Sequence, residues 1–380
     1  MRIGFNFQTM DKYISGVEYY GLGLLNGLLR IDERNEYVVF TNQPDLLRQH
    51  VPQAANLSTV EVEYLKTRAA RICWEHTRLP RLSVKYKLDV LHCPSYICPL
   101  RKLSVPYVVT IHDTIAIDRP QWCKQTNALY FNLFMKAAAK KASRIISVSE
   151  RSTDDIKRNF NLPCSKIQTI YSGIDNIFRA AKNSARCCEV RANYNLPQRY
   201  ILYVGNIEPK KNIGTLLRVQ KKLREKDLPH KLVIVGKRSW AAKAEMRELS
   251  REIASGNVVC PGYVDRNDLP YVYRMADVFV FPSLYEGFGF PPLEAMACGT
   301  PVISSRSGSL AETLSDAAII VEPHNTEQIV QAIYSMITNS SVREKYAQMG
   351  LERSSMFNWD SAAEQTLSVY KEVATNVRQR

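Results

Sequence analysis

The sequence predicts an α/β protein made of two doubly wound domains in series, on three observations. Short apolar runs recur along the chain, each followed by a turn cluster and then a helical pattern. Parallel strands joined by crossover helices produce that alternation. The rhythm stops and restarts near residue 175, and 380 residues exceed the size at which a single core usually stops growing.

The elements follow in order. "MRIGFNF" opens as a strand, and "SGVEYYGLGLLNGLLRI" after it sets Leu22, Leu25, Leu28 and Leu29 on one helix face. "EYVVFTN", "DVLHCPS", "PYVVTIHD" and "RIISVSE" continue the strand series, with "NALYFNLFMKAAAKKA" a helix between the last two. "QTIYSGIDNIFRAAKNSARCC" reads as the junction. Beyond it "RYILYVGNI" is a strand entering a turn and "NIGTLLRVQKKLREK" an amphipathic helix. "HKLVIVGK", "NVVCPGYV", "ADVFVFPS", "TPVISS" and "AAIIVEP" then follow at α/β spacing, and "SAAEQTLSVYKEVATNV" closes the chain as a helix. Two open sheets facing one another would make a cleft at the carboxyl ends of their strands, where such folds bind ligands.

Composition narrows the function. The formal charge of +14 favours anionic partners: phosphates, nucleic acid or an acidic membrane face. No stretch reaches the roughly 20 apolar residues of a membrane span. The start, "MRIGFNFQTMDKY", lacks the apolar core of a signal peptide, so a cytoplasmic protein is expected. The nine cysteines form no C-x-x-C pair and are expected to be buried free thiols.

Four places can carry chemistry. In "LYEGFGFPPLEAMACGTPVISS" a Gly/Pro loop leaves a buried strand and enters a short helix that stops at Gly299. A helix start offers backbone N–H groups, and Gly287 and Gly289 let an anion approach the chain. Glu286 and Glu294 can then flank one ligand and accept hydrogen bonds from its hydroxyls. The competing reading is a plain turn, with Glu294 offsetting the helix dipole. In "VGNIEPKKNIGTLL", Lys210 and Lys211 stand at a strand-to-helix turn, which suits a diphosphate as well as it suits a solvated lysine pair. His112 ends the strand of "VVTIHDT", while His92 also ends a strand; His50, His76, His230 and His324 sit in polar segments and are expected to be exposed. Ser15-Gly16 lies between the first strand and first helix. Gly21, Gly23 and Gly27 come too late for a dinucleotide fingerprint and read as close helix packing.

No G-x-x-x-x-G-K-[ST] loop is present, which disfavours P-loop phosphoryl transfer, and no G-x-G-x-x-G follows a strand, which disfavours an oxidoreductase. No D-x-D pair is present to hold a divalent metal; basic residues would stand in for it against a nucleotide diphosphate.

These sites in this order resemble glycosyltransferase family 4, retaining enzymes of the GT-B fold with two Rossmann-like domains. "PSLYEGFGFPPLEAMACGTPVISS" looks like the family's glutamate-spaced motif, and "VGNIEPKKN", "GYVDRNDLPYVYRMADVFVFPS" and "IISVSERSTDDI" sit in their family places. "GxIEPxKN" with "HD" looks like the mannosyltransferases of bacterial polysaccharide assembly. The resemblance implies an acceptor-binding domain over 1–176, a donor-binding domain over 177–358, and a helix over 359–380 packing back on the first. It implies that Glu294 binds the donor ribose and Glu286 contacts the sugar near its reacting face. Backbone N–H groups of Phe288 and Gly289 would hold sugar hydroxyls, Lys211 the diphosphate, and the main chain at Tyr263 and Val264 the base. Gly16 would approach the donor from the first domain, and His112 would orient the sugar. Many members carry Arg where this chain has Asn206, with Lys210 the candidate substitute.

The implied reaction is front-face transfer of a hexose from GDP-mannose to a glycan or lipid-linked acceptor, without metal or cofactor. A UDP-glucose or UDP-N-acetylglucosamine donor is the alternative within this chemistry. A non-catalytic module that binds sugar nucleotide or glycan is the alternative outside it, and no nucleic acid is expected. The segment "KTRAARICWEHTRLPRLSVKYK", basic with Trp74 and Leu79 interleaved, would suit either an anionic membrane face near the acceptor or a solvated helix.

Overall fold

In the computed structural model of the protein, the residues described are 1–8, 10, 14–63, 65, 67–101, 105–180, 183–239 and 243–378. They fall into two units: Met1–Gly173 with the segment from Asn358 onward, and Ile174–Phe357.

The first unit holds seven strands: β1 (Arg2–Phe7), β2 (Glu36–Thr41), β3 (Leu57–Glu61), β4 (Val90–Cys93), β5 (Tyr107–Ile111), β6 (Arg144–Ser147) and β7 (Ile167–Thr169). Their order is β3-β2-β1-β4-β5-β6-β7 and every pairing is parallel. β4 and β5 are buried at every residue, the pattern of strands covered by helices on both faces. The edge strands β3 and β7 escape a reading by apolar runs: β3, "LSTVE", exposes Ser58, Thr59 and Glu61, and β7 has only three residues.

Close packing explains the glycines of the helix Gly16–Ile31. A Cβ on Gly21 would stand 2.3 Å from the Phe7 ring, and one on Gly23 would stand 2.2 Å from the Trp359 indole. One on Gly27 would meet the Trp359 carbonyl at 2.6 Å. The helix beginning at Trp359 therefore lies against Gly16–Ile31 within this unit.

The second unit holds β8 (Tyr200–Val204), β9 (Lys231–Val235), β10 (Val258–Gly262), β11 (Val278–Phe281), β12 (Val302–Ser305) and β13 (Ala318–Val321). All pair parallel in the order β10-β9-β8-β11-β12-β13. Strand order reverses between β8 and β11, so the crevice outside their carboxyl ends is the expected ligand place of this sheet. β11, "VFVF", is wholly buried and leads into the loop with Glu286 and then the helix with Glu294.

Three expectations are corrected. All nine cysteines are free thiols, but only Cys93, Cys98 and Cys298 are buried, and Cys73, Cys164 and Cys188 are exposed. His230 is buried, with Nε2 at 3.4 Å from Asp277 Oδ2. Trp74 and Leu79 belong to the first unit's core, so the basic helix Arg68–Lys85 turns its interleaved apolar residues inward. Among the described residues no helix is long and apolar enough to cross a membrane.

Candidate functional site

The second unit gathers a charged centre at its switch point. The loop after β8 brings up Lys211 and the loop after β11 brings up Glu286, and Lys211 Nζ stands 2.5 Å from Glu286 Oε1. Asn212 fixes this meeting. It sits in the left-handed region at φ 58°, and its Nδ2 donates to the carbonyls of Pro282 at 3.1 Å and Pro323 at 2.6 Å. Thr215 Oγ1 donates to Asn212 Oδ1 at 2.8 Å, and Leu284 N donates to the Lys210 carbonyl at 2.7 Å. Three strand ends are thereby stitched into one rigid edge.

Burial alone would raise the Glu286 pKa. The charges of Lys211 and Lys210 and the Lys211 hydrogen bond outweigh it, and the carboxyl is held below its ordinary value. The Lys211 ammonium also lies 5.1 Å from the centroid of the Phe281 ring. A pair so withdrawn from water is a fixed charge array.

A third loop, after β12, buttresses Glu286 from behind. Ser309 donates through N at 2.9 Å and through Oγ at 3.2 Å to the Glu286 carbonyl. Gly308 has φ +66°, and a Cβ there would stand 2.2 Å from that same carbonyl oxygen. Gly289, at φ +98°, faces Leu310, whose Cδ2 would be 2.6 Å from an added Cβ. Ser307–Leu310 went unread in the sequence, though the Gly at a strand end in "SSRSGSL" was an available signal.

The helix Phe290–Ala297 carries a correction. Pro291 and Pro292 fill its second and third positions, so two of the N–H groups expected at its start do not exist. Main-chain donors in this stretch are left to the residues before Pro291. Glu294 lies inside the helix and is buried. Its Oε2 accepts from Tyr273 Oη at 2.9 Å, while Arg266 Nη1 is 3.5 Å from its Oε1. Arg266 gives its closer contact to Asp175, at 2.5 Å, and lies 5.1 Å from the Phe178 ring centroid. Burial therefore prevails over Arg266 and Tyr273, and with Asp175 adding to it the Glu294 pKa is raised. Arg266, Asp175 and Tyr273 gave no separate signal in the sequence.

The remaining positions that the sequence assigned to a donor line the same sheet edge more loosely. Asn206 is exposed, and its Oδ1 accepts from Lys237 N at 3.3 Å. Tyr263 is 42% exposed with Lys237 Nζ 5.8 Å from its ring centroid, whereas Val264 is buried. The start of the helix Ile213–Arg224 is already engaged, because Glu245 Oε1 accepts from Gly214 N at 2.7 Å. An anion there would rely on Lys210 and Lys211 rather than on that helix end.

In the first unit His112 is buried, and its Nε2 is 2.8 Å from the Pro94 carbonyl. A carbonyl only accepts, so Nε2 carries the proton and Nδ1 is the acceptor of the neutral ring. Burial lowers its pKa, against the opposing Pro94 bond and Asp113 charge. Tyr20 and Tyr96 clamp the ring at centroid distances of 4.8 and 5.3 Å. His92 is a packing residue: it is bonded to Tyr370 Oη at 2.6 Å and Thr110 Oγ1 at 2.8 Å, and burial with nearby His112 pushes its pKa down to about 3. Gly16 is exposed as the first residue of its helix, where Ser15 N donates to Glu18 Oε2 at 2.9 Å.

Known proteins share this layout. Residues 14–176 match the family described as Glycosyltransferase Family 4, and residues 189–353 the family described as Glycosyl transferases group 1. The chain is 30% identical over 386 residues to O-antigen chain mannosyltransferase B of Escherichia coli, covering 98% of this chain and 100% of that protein. In structure it is similar to sucrose-phosphate synthase of Thermosynechococcus elongatus, with TM-score 0.78 and 22% identity over 99% of each chain. Anabaena Alr3699/HepE in complex with UDP and glucose is similar at TM-score 0.74 and 17% identity, over 98% of this chain and 100% of that one. These two likenesses speak for the fold.

Proposed function

Because the chain belongs to glycosyltransferase family 4, we propose that it moves mannose from GDP-mannose onto a growing glycan or lipid-linked oligosaccharide, with retention at the anomeric carbon. The observation that carries this reading is the buried Lys211–Glu286 pair at the switch point of the second sheet. The choice of mannose is supported by the name of the E. coli relative.

The bond that breaks joins the anomeric carbon to the nucleotide diphosphate. As it lengthens, positive charge spreads over the sugar and negative charge grows on the leaving phosphate. Lys211, with Lys210 beside it, meets that growing charge in a site already withdrawn from water, the largest lever such a site has. Before the donor arrives Glu286 holds Lys211 in position. Afterwards the phosphate shares the cation, and Glu286 accepts a sugar hydroxyl near the reacting face. Main-chain N–H groups of Phe288 and Gly289 hold further hydroxyls, and Gly287 keeps the backbone close.

Glu294 takes the ribose, and the main chain at Tyr263 and Val264 takes the base. His112 positions the sugar by its Nδ1 lone pair, and Gly16 lets the first domain's backbone come near the donor. The acceptor hydroxyl attacks from the side of the leaving group and passes its proton to the departing phosphate, so no side chain forms a covalent intermediate. Lysines replace a divalent ion, and Asn206 leaves one diphosphate contact to Lys210. We place the protein on the cytoplasmic side, with its basic excess serving sugar nucleotides rather than nucleic acid.

The test incubates the full chain with GDP-mannose, UDP-glucose and UDP-N-acetylglucosamine and an acceptor mixture, followed by mass spectrometry of the products. Mannose transfer that survives EDTA is expected, with a Tm rise on adding GDP. A UDP-sugar donor is the second reading, motivated by the UDP complex of the Anabaena protein; a Tm rise with UDP alone would establish it. Absence of any transfer or donor hydrolysis would leave only a binding module.

A further inference from the structure

The sheet of the second unit has another edge besides the crevice. Across the amino ends of four neighbouring strands runs a groove of about 600 Å³, within the size range of small-molecule sites. Arg199, His230, Asp277 and Pro301 line it, each the residue immediately before β8, β9, β11 or β12. Arg343 and Glu344, from the helix Ser340–Ser355, add a further wall. Lys211 and Glu286 lie past the carboxyl ends instead, and the five residues of β8 put roughly 16 Å between the two edges.

His230 is the telling side chain, because it is only 4% exposed and still incompletely bonded. Its Nε2 faces Asp277 Oδ2 at 3.4 Å, and a carboxylate only accepts, so Nε2 carries the proton. Nδ1 is buried and has no hydrogen-bond partner among the described residues. An acceptor buried unpaired is costly, and a ligand hydroxyl would relieve it. Asp277 itself is already committed. Burial would raise its pKa, but the His230 bond, the Tyr200 N–H at 3.2 Å and the Arg343 charge hold it below its ordinary value.

The two guanidinium groups are not committed. Neither Arg199 nor Arg343 has an ion pair or a side-chain hydrogen bond among the described residues. Arg199 is exposed and Arg343 half-buried. Their planar forks match the oxygens of a phosphate two at a time. Glu344 is exposed beside them and accepts hydroxyls. Two cations for an oxyanion, next to a histidine lone pair and a carboxylate for hydroxyls, fit a hydroxylated phosphate ester. We infer that the groove at the amino ends of β8, β9, β11 and β12 binds a small sugar phosphate, its phosphate on Arg199 and Arg343 and a hydroxyl on His230 Nδ1. The sheet separates this ligand from the Lys211–Glu286 centre, so it is not the reacting donor. The inference rests on none of the donor reading.

The test is titration calorimetry of the full chain with mannose 6-phosphate as the probe, beside sulfate and mannose. Mannose 6-phosphate is expected to bind with a Kd of about 1 mM or below, sulfate more weakly, and mannose not measurably. Arg199→Ala with Arg343→Ala should weaken mannose 6-phosphate and sulfate about tenfold or more. Neither arginine is buried, so circular dichroism and Tm of the free chain should stay as in the parent. His230→Gln keeps an amide within reach of Asp277 but no acceptor at the Nδ1 position. It should weaken mannose 6-phosphate about fivefold and leave sulfate as in the parent. Saturating GDP should not change the titration. Absence of mannose 6-phosphate binding overturns the inference, as does binding no tighter than sulfate, binding that ignores the double arginine variant, or binding that GDP displaces. Failure of GDP to raise Tm counts against the donor reading alone.

Discussion

Glu286 and Glu294 are both buried with only seven residues between them, yet the two surroundings push them in opposite directions. Glu286 has a dedicated cation, Lys211, with Lys210 near, and its pKa falls. Glu294 has a neutral phenol and an arginine whose closer partner is Asp175, and its pKa rises. One carboxylate is thus a fixed charge and the other a group that resists ionisation. The difference arises from residues far along the chain, since Lys211 is 75 positions from Glu286. A motif fixes which side chains are near a ligand, while through-space partners fix their charge.

The largest expected effect breaks the first half of that contrast. Lys211→Ala leaves Glu286 buried without its cation, at a cost of about 3–5 kcal/mol, so Tm in the donor-free chain should drop sharply along with turnover. A Tm within a degree of the parent would mean the pair is not coupled. Gly308→Ala acts on the same glutamate through its backbone. A methyl 2.2 Å from the Glu286 carbonyl, at φ +66°, should cost about 1–3 kcal/mol and lower turnover. Gly262→Ala, also at positive φ but with nothing within 4 Å, is the control and should cost the backbone strain alone, about 1–2 kcal/mol.

The pH dependence sharpens the contrast further. Glu286, with its folded pKa depressed, contributes stability present above the unfolded value of about 4.3 and lost as pH falls through the folded value. Glu294, with its folded pKa raised, has the opposite sign: its contribution is full below about 4.3 and is lost as pH rises through the folded value. Glu294→Gln should therefore raise stability at neutral pH while weakening donor binding. Glu286→Gln should lower stability there and cut turnover more than binding. Denaturant titrations between acid and neutral pH read both, and parallel pH curves for the two variants would remove the distinction. The smallest effect is at the rim. Asn206→Arg adds an exposed cation beside Lys237 and should tighten GDP binding only a few-fold, read by calorimetry, with Tm unchanged.

Much of the fold was legible because parallel sheets write themselves as short buried apolar runs. Strands such as "YILYV" and "VFVF" were read from that signal alone. The edges β3 and β7 were not, because one face or most of their length meets water and no apolar run marks them. The loop glutamates and lysines were legible as Gly/Pro-rich strand ends, and Gly23 and Gly27 as packing glycines, later seen against Trp359. The Ser307–Leu310 buttress, Arg266 with Asp175, and the engaged helix start at Gly214 were not, since each depends on a partner from another segment.

The sequence by itself determined the alternation of strands and helices, the strand ends that bear charge, and the family those ends resemble, because periodicity and turn chemistry are local. Only the tertiary structure decided that Glu286 has a lysine to itself while Glu294 shares its arginine with Asp175, that Trp74 points inward while Leu129 and Leu133 stay out, and that two prolines blunt the helix start. Ionisation and exposure depend on desolvation and on distances between segments. Neither quantity is written along a chain.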